Sequence, residues 1–204
     1  MIDRKTRDKW DSAAYVFDLM GGCGPEKRWK PHKERLFSTM DGRVLFLAVG
    51  TGLDIRCFPP GQDITGIDIS PKMLEKAKPR VAAYRGQMTA RLMDVHDMDF
   101  ADGAFDQVYT SCTFCSVPDP VRGLSALRRV LKPGGVLRMF EHTGSRVFPF
   151  NLMLHAVNPL CRHLGPELNR DTVANVWAAG FEVNKVVNIF LDVVKTIEAT
   201  APVA

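Results

Sequence analysis

A glycine-rich turn and a downstream acid are the first residues in this sequence whose types and spacing indicate a ligand. Gly50-Thr51-Gly52 follows the apolar run RVLFLAV, and Asp68 comes sixteen residues after Gly52. Glycine lets the backbone approach a nucleotide closely, and a carboxylate can accept hydrogen bonds from both ribose hydroxyls. This pattern alone fits NAD-dependent enzymes and methyltransferases equally. Tight packing of a strand against a helix would also account for the glycines.

The residues after this turn weigh against a dinucleotide. A pyrophosphate needs a third glycine and a helix N-terminus without negative charge. Here Gly52 is followed by Leu53-Asp54-Ile55-Arg56, which puts a carboxylate where the phosphates would lie. The chain also has neither a Tyr-x-x-x-Lys pair nor a G-x-x-x-x-G-K-[ST] motif. The commonest reductases and the P-loop NTPases are therefore excluded.

A Cys-x-x-Cys pair, Cys112 and Cys115, is the other motif with chemistry of its own. A zinc site would need a second pair of ligands at suitable spacing, and a redox site would need an oxidoreductase context. The sequence has neither. We interpret both cysteines as small residues that line a pocket, and we predict no metal site.

Strands and helices alternate along the chain, which predicts βαβ units and an open, doubly wound, mostly parallel α/β sheet. Ligands in such sheets bind beyond the carboxyl ends of the strands. That rule selects the residues just after each predicted strand. The predicted strands are 43–49, 63–68, 89–93, 105–110, 136–141, 181–187 and 189–197, and the predicted helices are 70–78, 120–131 and 171–179.

Composition indicates one globular domain. The chain has 204 residues, of which 46% are hydrophobic and 25% charged, and its net charge is +4. This surplus is too small to indicate a protein dedicated to nucleic acids. Five cysteines, an odd number, suit a reducing cytosol. The longest apolar stretch, 147–161, is interrupted by prolines and polar residues, so we expect it to lie on a membrane surface or roof a pocket rather than span a bilayer.

The residues before the first predicted strand form a separate charged segment. Residues 1–40 predict two helices joined by a breaker at 21–25, and Tyr15, Phe17, Leu19 and Met20 give the first helix apolar character. We expect residues 1–40 to form a helical cover over the ligand edge. Residues 41–204 would form the single compact domain beneath it.

In combination, four motifs resemble the class I S-adenosylmethionine (SAM) methyltransferases. They are LFLAVGTG, GIDIS, LMDVHDMDFADGAFDQV and LRRVLKPGG, which occur in the order and spacing of that family over residues 43–141. The resemblance implies a seven-stranded Rossmann-like fold, SAM as cofactor and S-adenosylhomocysteine as product. It also implies that Gly50 and Gly52 line the methionine part, Asp68 binds the ribose, and Ile69, Asp94 and Val95 meet the adenine. The full set of implied cofactor residues is Ala48, Gly50, Thr51, Gly52, Asp68, Ile69, Asp94, Val95, His96 and Ser111.

Further motifs resemble the thiol S-methyltransferases of the methyltransferase-like group, which are small, membrane-associated enzymes. These motifs are KERLFS, CFPPG, CTFCSVPDP and Glu141-His142. Some bacterial relatives in this group resemble phospholipid N-methyltransferases. The sequence departs from the family where Phe46 replaces an acid and Ala48 replaces a glycine. Either Asp54 compensates, or backbone carbonyls near Ala48 and Ser111 hold the SAM ammonium, or the affinity for SAM is weak.

Methyl transfer mainly requires alignment of the reacting atoms and exclusion of water. A thiol must lose a proton and an amine must start neutral, so we expect His142, after the fifth strand, to act as the base. Capping of the next segment is the alternative for His142. Glu141 could orient His142, contact an acceptor cation or be a solvated acid.

The acceptor is expected to be a small hydrophobic thiol. A phospholipid amine of the phosphatidylethanolamine type is the second hypothesis, and a non-catalytic SAM-binding module is the third. We expect a cytoplasmic protein with peripheral membrane contact and without nucleic-acid partners. The residues expected to bind the acceptor are Tyr15, Phe17, Cys115, Phe148 and Phe150.

Overall fold

The computed structural model describes residues 3–21, 25–164 and 166–203. Seven strands form one sheet in the order β3-β2-β1-β4-β5-β7-β6, in which β7 runs antiparallel to its neighbours β5 and β6. The doubly wound, mostly parallel sheet expected from the sequence is therefore confirmed. The strands are β1 (Arg43–Leu47), β2 (Asp63–Asp68), β3 (Gln87–Leu92), β4 (Phe105–Ser111), β5 (Leu131–His142), β6 (Glu182–Phe190) and β7 (Val194–Thr200).

Helices cover both faces of the sheet. Residue alternation along β1 sends Leu45 and Leu47 into one buried cluster and Val44 and Phe46 into the other. Both faces of the sheet are therefore buried, as in other parallel sheets. The helices are α1 (Arg4–Gly21), α2 (Pro25–Phe37), α3 (Pro71–Ala82), α4 (Pro120–Val130), α5 (Phe150–Leu164) and α6 (Thr172–Ala178), and short 3-10 turns lie at Leu53–Cys57 and Val95–Asp97.

Side-chain caps fix where three of the helices begin. Ser70 accepts a hydrogen bond from the Met73 amide at the start of α3. Asp119 and Asp171 cap α4 and α6 in the same way. Each cap supplies an acceptor for an amide that has no partner within its helix. Ser70 follows β2 and Asp119 ends the loop after β4, so these two caps also fix loops that form the site.

Three predicted boundaries were wrong. α3 continues past Pro79 to Ala82, since a proline near the end of a helix removes one hydrogen bond without ending the packing of the buried Met73 and Ala77. β5 begins at Leu131 rather than at 136, through an irregular pairing with β4. The final hairpin turns at Leu191, where φ is +47°, and not at 188. The prediction missed this turn because no glycine or proline marks it in the sequence.

Among the described residues, none of the helices is sufficiently long and apolar to cross a bilayer. α5 contains most of the interrupted apolar stretch 147–161 and packs on the domain through Leu154 and the buried Asn158. Much of its remaining surface is exposed and apolar.

Candidate cofactor and acceptor site

A cavity of about 430 Å³ lies at the carboxyl ends of β1, β2, β4 and β5, as the sheet topology requires. Residues of α1 and α2 complete its wall. Nine of the ten cofactor residues expected from the sequence line this cavity. Gly52 is the exception, because it faces Ile55, Ala77 and Arg80 instead. The nine are Ala48, Gly50, Thr51, Asp68, Ile69, Asp94, Val95, His96 and Ser111.

The acid at the end of β2 holds the glycine-rich turn. Asp68 is buried, and its two carboxylate oxygens accept the backbone amides of Gly50 at 2.7 Å and Ser70 at 2.8 Å. Burial raises the pKa of Asp68 to about 6, although both amides favour its ionised form. The carboxylate lies in the cavity lining, so it can also accept a hydroxyl of a ribose while it holds the turn.

The backbone of this turn is left-handed at alternate residues. Ala48 has φ +60° and Gly50 has φ +57°. A Cβ added at Gly50 would meet no atom within 4 Å, because this position faces the open cavity. Ala48 adopts a conformation that glycine would adopt without strain.

The wall after β3 is tied to the N-terminus of α1. Asp94 accepts hydrogen bonds from the His96 ring at 2.9 Å and from the Asp3 amide at 3.0 Å. Burial would raise the pKa of Asp94, but the hydrogen bonds from His96 and Asp3 outweigh it and bring the pKa to about 2. The other His96 ring nitrogen lies 2.9 Å from the Asp119 carbonyl. Asp94 therefore fixes this edge of the cavity as an ionised group.

Glu141 lies behind the cavity wall rather than in it. Its carboxylate is fully buried and accepts hydrogen bonds from the Thr110 hydroxyl and from the amides of Thr113 and Phe114. It neither lines the cavity nor pairs with His142. The catalytic role expected for Glu141 is therefore corrected: it positions the turn after β4 and is not a solvated acid.

His142 lines the cavity at the end of β5. Its Nδ1 is buried and has no hydrogen-bond partner among the described residues, so the capping alternative finds no support at that atom. Burial lowers the pKa of His142, which keeps the imidazole neutral at neutral pH. The Ser111 hydroxyl, also in the lining, is likewise buried without a partner in the described part of the chain. His142 is therefore an uncharged side chain in the cavity wall with a ring nitrogen that is unpaired within the described ranges of the chain.

The structure divides the residues expected to bind the acceptor. Phe17 and Cys115 line the cavity. Tyr15 and Phe148 are 66% and 75% exposed, and Phe150 packs against the cluster around Phe140 instead. The placement of these three in an acceptor pocket is therefore corrected.

Helical periodicity explains the error in α1. Positions 15 and 17 are two residues apart and so lie on different faces of a helix. The cavity-facing stripe is Asp3, Thr6, Trp10 and Phe17, which follows the helical repeat. Trp10 and Phe17 are in edge-to-face contact at 6.3 Å between ring centroids. Leu19 and Met20, expected on the same apolar side, have side chains outside the described part of the structure.

A buried ion pair in the lining was not predicted. Lys33 Nζ of α2 lies 2.7 Å from Asp54 Oδ1, and the two side chains are 6% and 15% exposed. Lys33 lies one helical turn before the fully buried Phe37, on the face that packs against the sheet.

Comparison with known proteins agrees with this geometry. A family model described as a methyltransferase domain matches residues 45–139. A ubiquinone/menaquinone biosynthesis C-methyltransferase from Geotalea daltonii is 32% identical over 161 residues, which are 74% of this chain and 68% of that protein. The human thiol S-methyltransferase TMT1B is 32% identical over 186 residues, 82% of this chain and 75% of the relative.

The chain belongs to the SAM-dependent methyltransferases. A phosphatidylethanolamine N-methyltransferase from Cereibacter sphaeroides is 33% identical over 120 residues, 58% of this chain and 57% of that enzyme. An N-methyltransferase from Haemonchus contortus, solved with phosphomonomethylethanolamine and S-adenosylhomocysteine, shares the fold with a TM-score of 0.73 at 18% identity, over 97% of this chain and 60% of that chain.

The site of this methyltransferase suits its cofactor. The Asp68 carboxylate suits the ribose of SAM. The open space at Gly50 suits the amino-acid tail of SAM, which extends along the glycine-rich turn. When bound, SAM supplies a methyl group on a positively charged sulfur. The chain's residues have to orient the acceptor and remove its proton. Relatives named for transfer to carbon, sulfur and nitrogen occur at similar identity, so the acceptor must be argued from the cavity itself.

Proposed function

We propose that this methyltransferase transfers a methyl group from SAM to the sulfur of a small, apolar thiol. The observation that carries the proposal is His142, a neutral imidazole in the cavity wall whose buried Nδ1 has no partner among the described residues. A thiol has a pKa near ~8.5 and must lose its proton to become a strong nucleophile. His142 accepts that proton while the sulfur takes the methyl group.

The remaining wall suits an apolar acceptor. Trp10, Phe17, Val117 and Leu168 line the cavity together with Cys115. Burial raises the pKa of Cys115 to about 12, so its thiol stays protonated and does not compete for the methyl group. These side chains exclude water around the reacting sulfur and bind the acceptor through its hydrocarbon part.

A phospholipid amine is the second candidate, and α5 is the observation that favours it. Leu152, Met153 and Leu160 are exposed on this helix, and Val147 and Phe148 are exposed just before it. The sequence of α5, FNLMLHAVNPLCRHL, contains no acidic residue. Such a helix suits contact with a membrane surface, where a lipid headgroup could reach the site. We therefore include peripheral membrane contact in this second proposal.

A methyl-transfer assay with labelled SAM tests both candidates. The acceptors are an alkanethiol, hydrosulfide, phosphatidylethanolamine vesicles and a demethylated quinol. We expect the alkanethiol to be the best acceptor. Methylation of the lipid or quinol in preference to every thiol would contradict the proposal, and binding of SAM without transfer to any of them would indicate a non-catalytic module.

The variant His142→Gln tests the base. We expect kcat for the thiol to fall about 100-fold, within the usual range for loss of a general base, with unchanged affinity for S-adenosylhomocysteine. The matched control is His155→Gln, because His155 is exposed on α5 and lies outside the cavity. An unchanged kcat in His142→Gln would remove this residue from the reaction.

A further inference from the structure

We propose that Lys33 and Asp54 form the binding site for the zwitterionic amino-acid tail of SAM. In this arrangement Lys33 pairs with the tail carboxylate and Asp54 with its ammonium. The inference depends on the use of SAM, which the family establishes, and not on the identity of the methyl acceptor. It supplies the charged contacts that Phe46 cannot make.

The position of Phe46 excludes it from contact with the tail. Its ring lies 4.8 Å from the Phe58 centroid and 5.7 Å from the Phe37 centroid, in a buried aromatic cluster on one face of the sheet. Phe46 does not line the cavity. A charge at this strand position would have to displace that cluster.

Few charged side chains in the cavity lining could pair with the carboxylate and the ammonium of the SAM tail. Lys33 is the only lysine or arginine in the cavity lining within the described residues. Of the other acids in the lining, Asp94 accepts hydrogen bonds from His96 and from the Asp3 amide, and Asp68 holds the glycine turn. The Asp3 carboxylate accepts the Lys5 amide and the Thr6 hydroxyl at the start of α1. Asp54 is therefore the acid best placed to receive a ligand cation, and it already faces Lys33.

Asp54 also has the right position along the chain. It lies two residues after Gly52, in the 3-10 turn that begins directly after the glycine-rich turn. Asp68, which suits the ribose, contacts the same turn through the Gly50 amide. A ligand whose ribose binds Asp68 can therefore extend its tail along this turn toward Asp54 and Lys33.

The energetics of the buried Lys33–Asp54 pair favour its replacement by contacts from each side chain to the ligand tail. Both side chains are largely desolvated before a ligand arrives, and each satisfies the other. A tail with one positive and one negative charge can replace these contacts without adding net charge to the site. The Lys33 Nζ also lies 5.7 Å from the centroid of the Phe140 ring, a cation–π contact that helps to hold the ammonium at the cavity wall.

Equilibrium binding of two ligands tests the proposal. S-Adenosylhomocysteine has the amino-acid tail, and 5′-deoxy-5′-methylthioadenosine has the same nucleoside and a sulfur without the tail. In Lys33→Met we expect affinity for S-adenosylhomocysteine to fall at least tenfold, about 1.4 kcal/mol, and affinity for methylthioadenosine to change less than twofold. Asp54→Asn should behave in the same way.

Two further variants keep the test decisive. Lys30→Met is the matched control, because Lys30 lies on the same helix but is exposed and pairs with Glu34. The double variant Lys33→Met with Asp54→Leu leaves no unpaired buried charge, so it should fold even if a single variant does not. Equal loss of both ligands, or unchanged binding of S-adenosylhomocysteine in a folded variant, would overturn the assignment. Failure of thiol methylation alone would not affect it.

Discussion

The carboxylate of Glu141 on β5 and the hydroxyl of Thr110 on β4 meet across neighbouring strands, with 2.6 Å between Oε1 and Oγ1. The same carboxylate accepts the amides of Thr113 and Phe114. Since Ser111, Cys112 and Thr113 line the cavity, one buried acid sets the shape of the wall on the acceptor side. Its role is to hold the backbone rather than to contact the ligand.

Replacement of Glu141 should destabilise the fold. Glu141→Ala leaves two buried amides without an acceptor, at ~1 to 3 kcal/mol each, so we expect the free energy of unfolding to fall by about 2 to 6 kcal/mol. Urea unfolding measures this change. Glu75→Ala is the matched control, since Glu75 is exposed and pairs only with Lys78 at the surface. A loss in Glu141→Ala as small as in this control would show that the turn is held by other contacts.

The affinity for S-adenosylhomocysteine should depend on pH through Asp68. In the free protein its pKa is about 6, and a ribose hydroxyl donates best to the ionised form. Below pH 6 the carboxyl must lose its proton to bind, so affinity should fall as pH decreases, approaching tenfold per pH unit. Titration calorimetry between pH 5 and pH 8 measures this slope.

Asp68→Ala should remove that dependence and weaken binding by ~1.5 to 3 kcal/mol, which is a factor of about 10 to 150. Asp63→Ala is the control, because Asp63 is exposed at the opposite end of β2. Unchanged affinity in a folded Asp68→Ala protein would show that Asp68 is not the ribose ligand.

The variants Gly50→Ala and Gly61→Ala should distinguish the effect of backbone strain on stability from the effect of a lost cofactor contact on affinity. Both glycines have positive φ, +57° and +83°, and an added Cβ would meet no atom within 4 Å at either position. Each substitution should therefore lower stability by roughly 1 kcal/mol through the backbone alone. Only Gly50 lines the cavity, so only Gly50→Ala should weaken S-adenosylhomocysteine binding. Equal affinities in the two variants would place the cofactor away from this turn.

An acid introduced at Phe46 should not restore the family's usual contact. Phe46→Glu puts a charge into the aromatic cluster with Phe37 and Phe58, and we expect it to cost more than ~3 kcal/mol of stability without tightening cofactor binding. Phe46→Leu, which keeps the site apolar, should be milder. Calorimetry that finds tighter binding in a folded Phe46→Glu protein would show that this strand position reaches the cofactor.

The sequence predicted the nucleotide half of the site because its residues are local to strand ends. Gly50 follows β1 and Asp68 ends β2, and parallel strands bring such positions to one edge of the sheet. Trp10 and Lys33 belong to helices whose orientation depends on how they dock on the sheet, so no local pattern specified them. Glu141 looked like a functional strand-end acid, and only the tertiary structure shows its carboxylate turned toward the β4 backbone.

The position of α1 links release of the product to detachment of this helix from the domain. Its residues form one side of the cavity, and the Asp3 amide and Asp11 tie it to Asp94 and Ser70. A bound product that contacts this wall loses those contacts when the helix detaches, so detachment should speed its release. We therefore expect the dissociation rate of S-adenosylhomocysteine to follow the hydrogen exchange of the α1 amides, and Asp11→Ala to accelerate both.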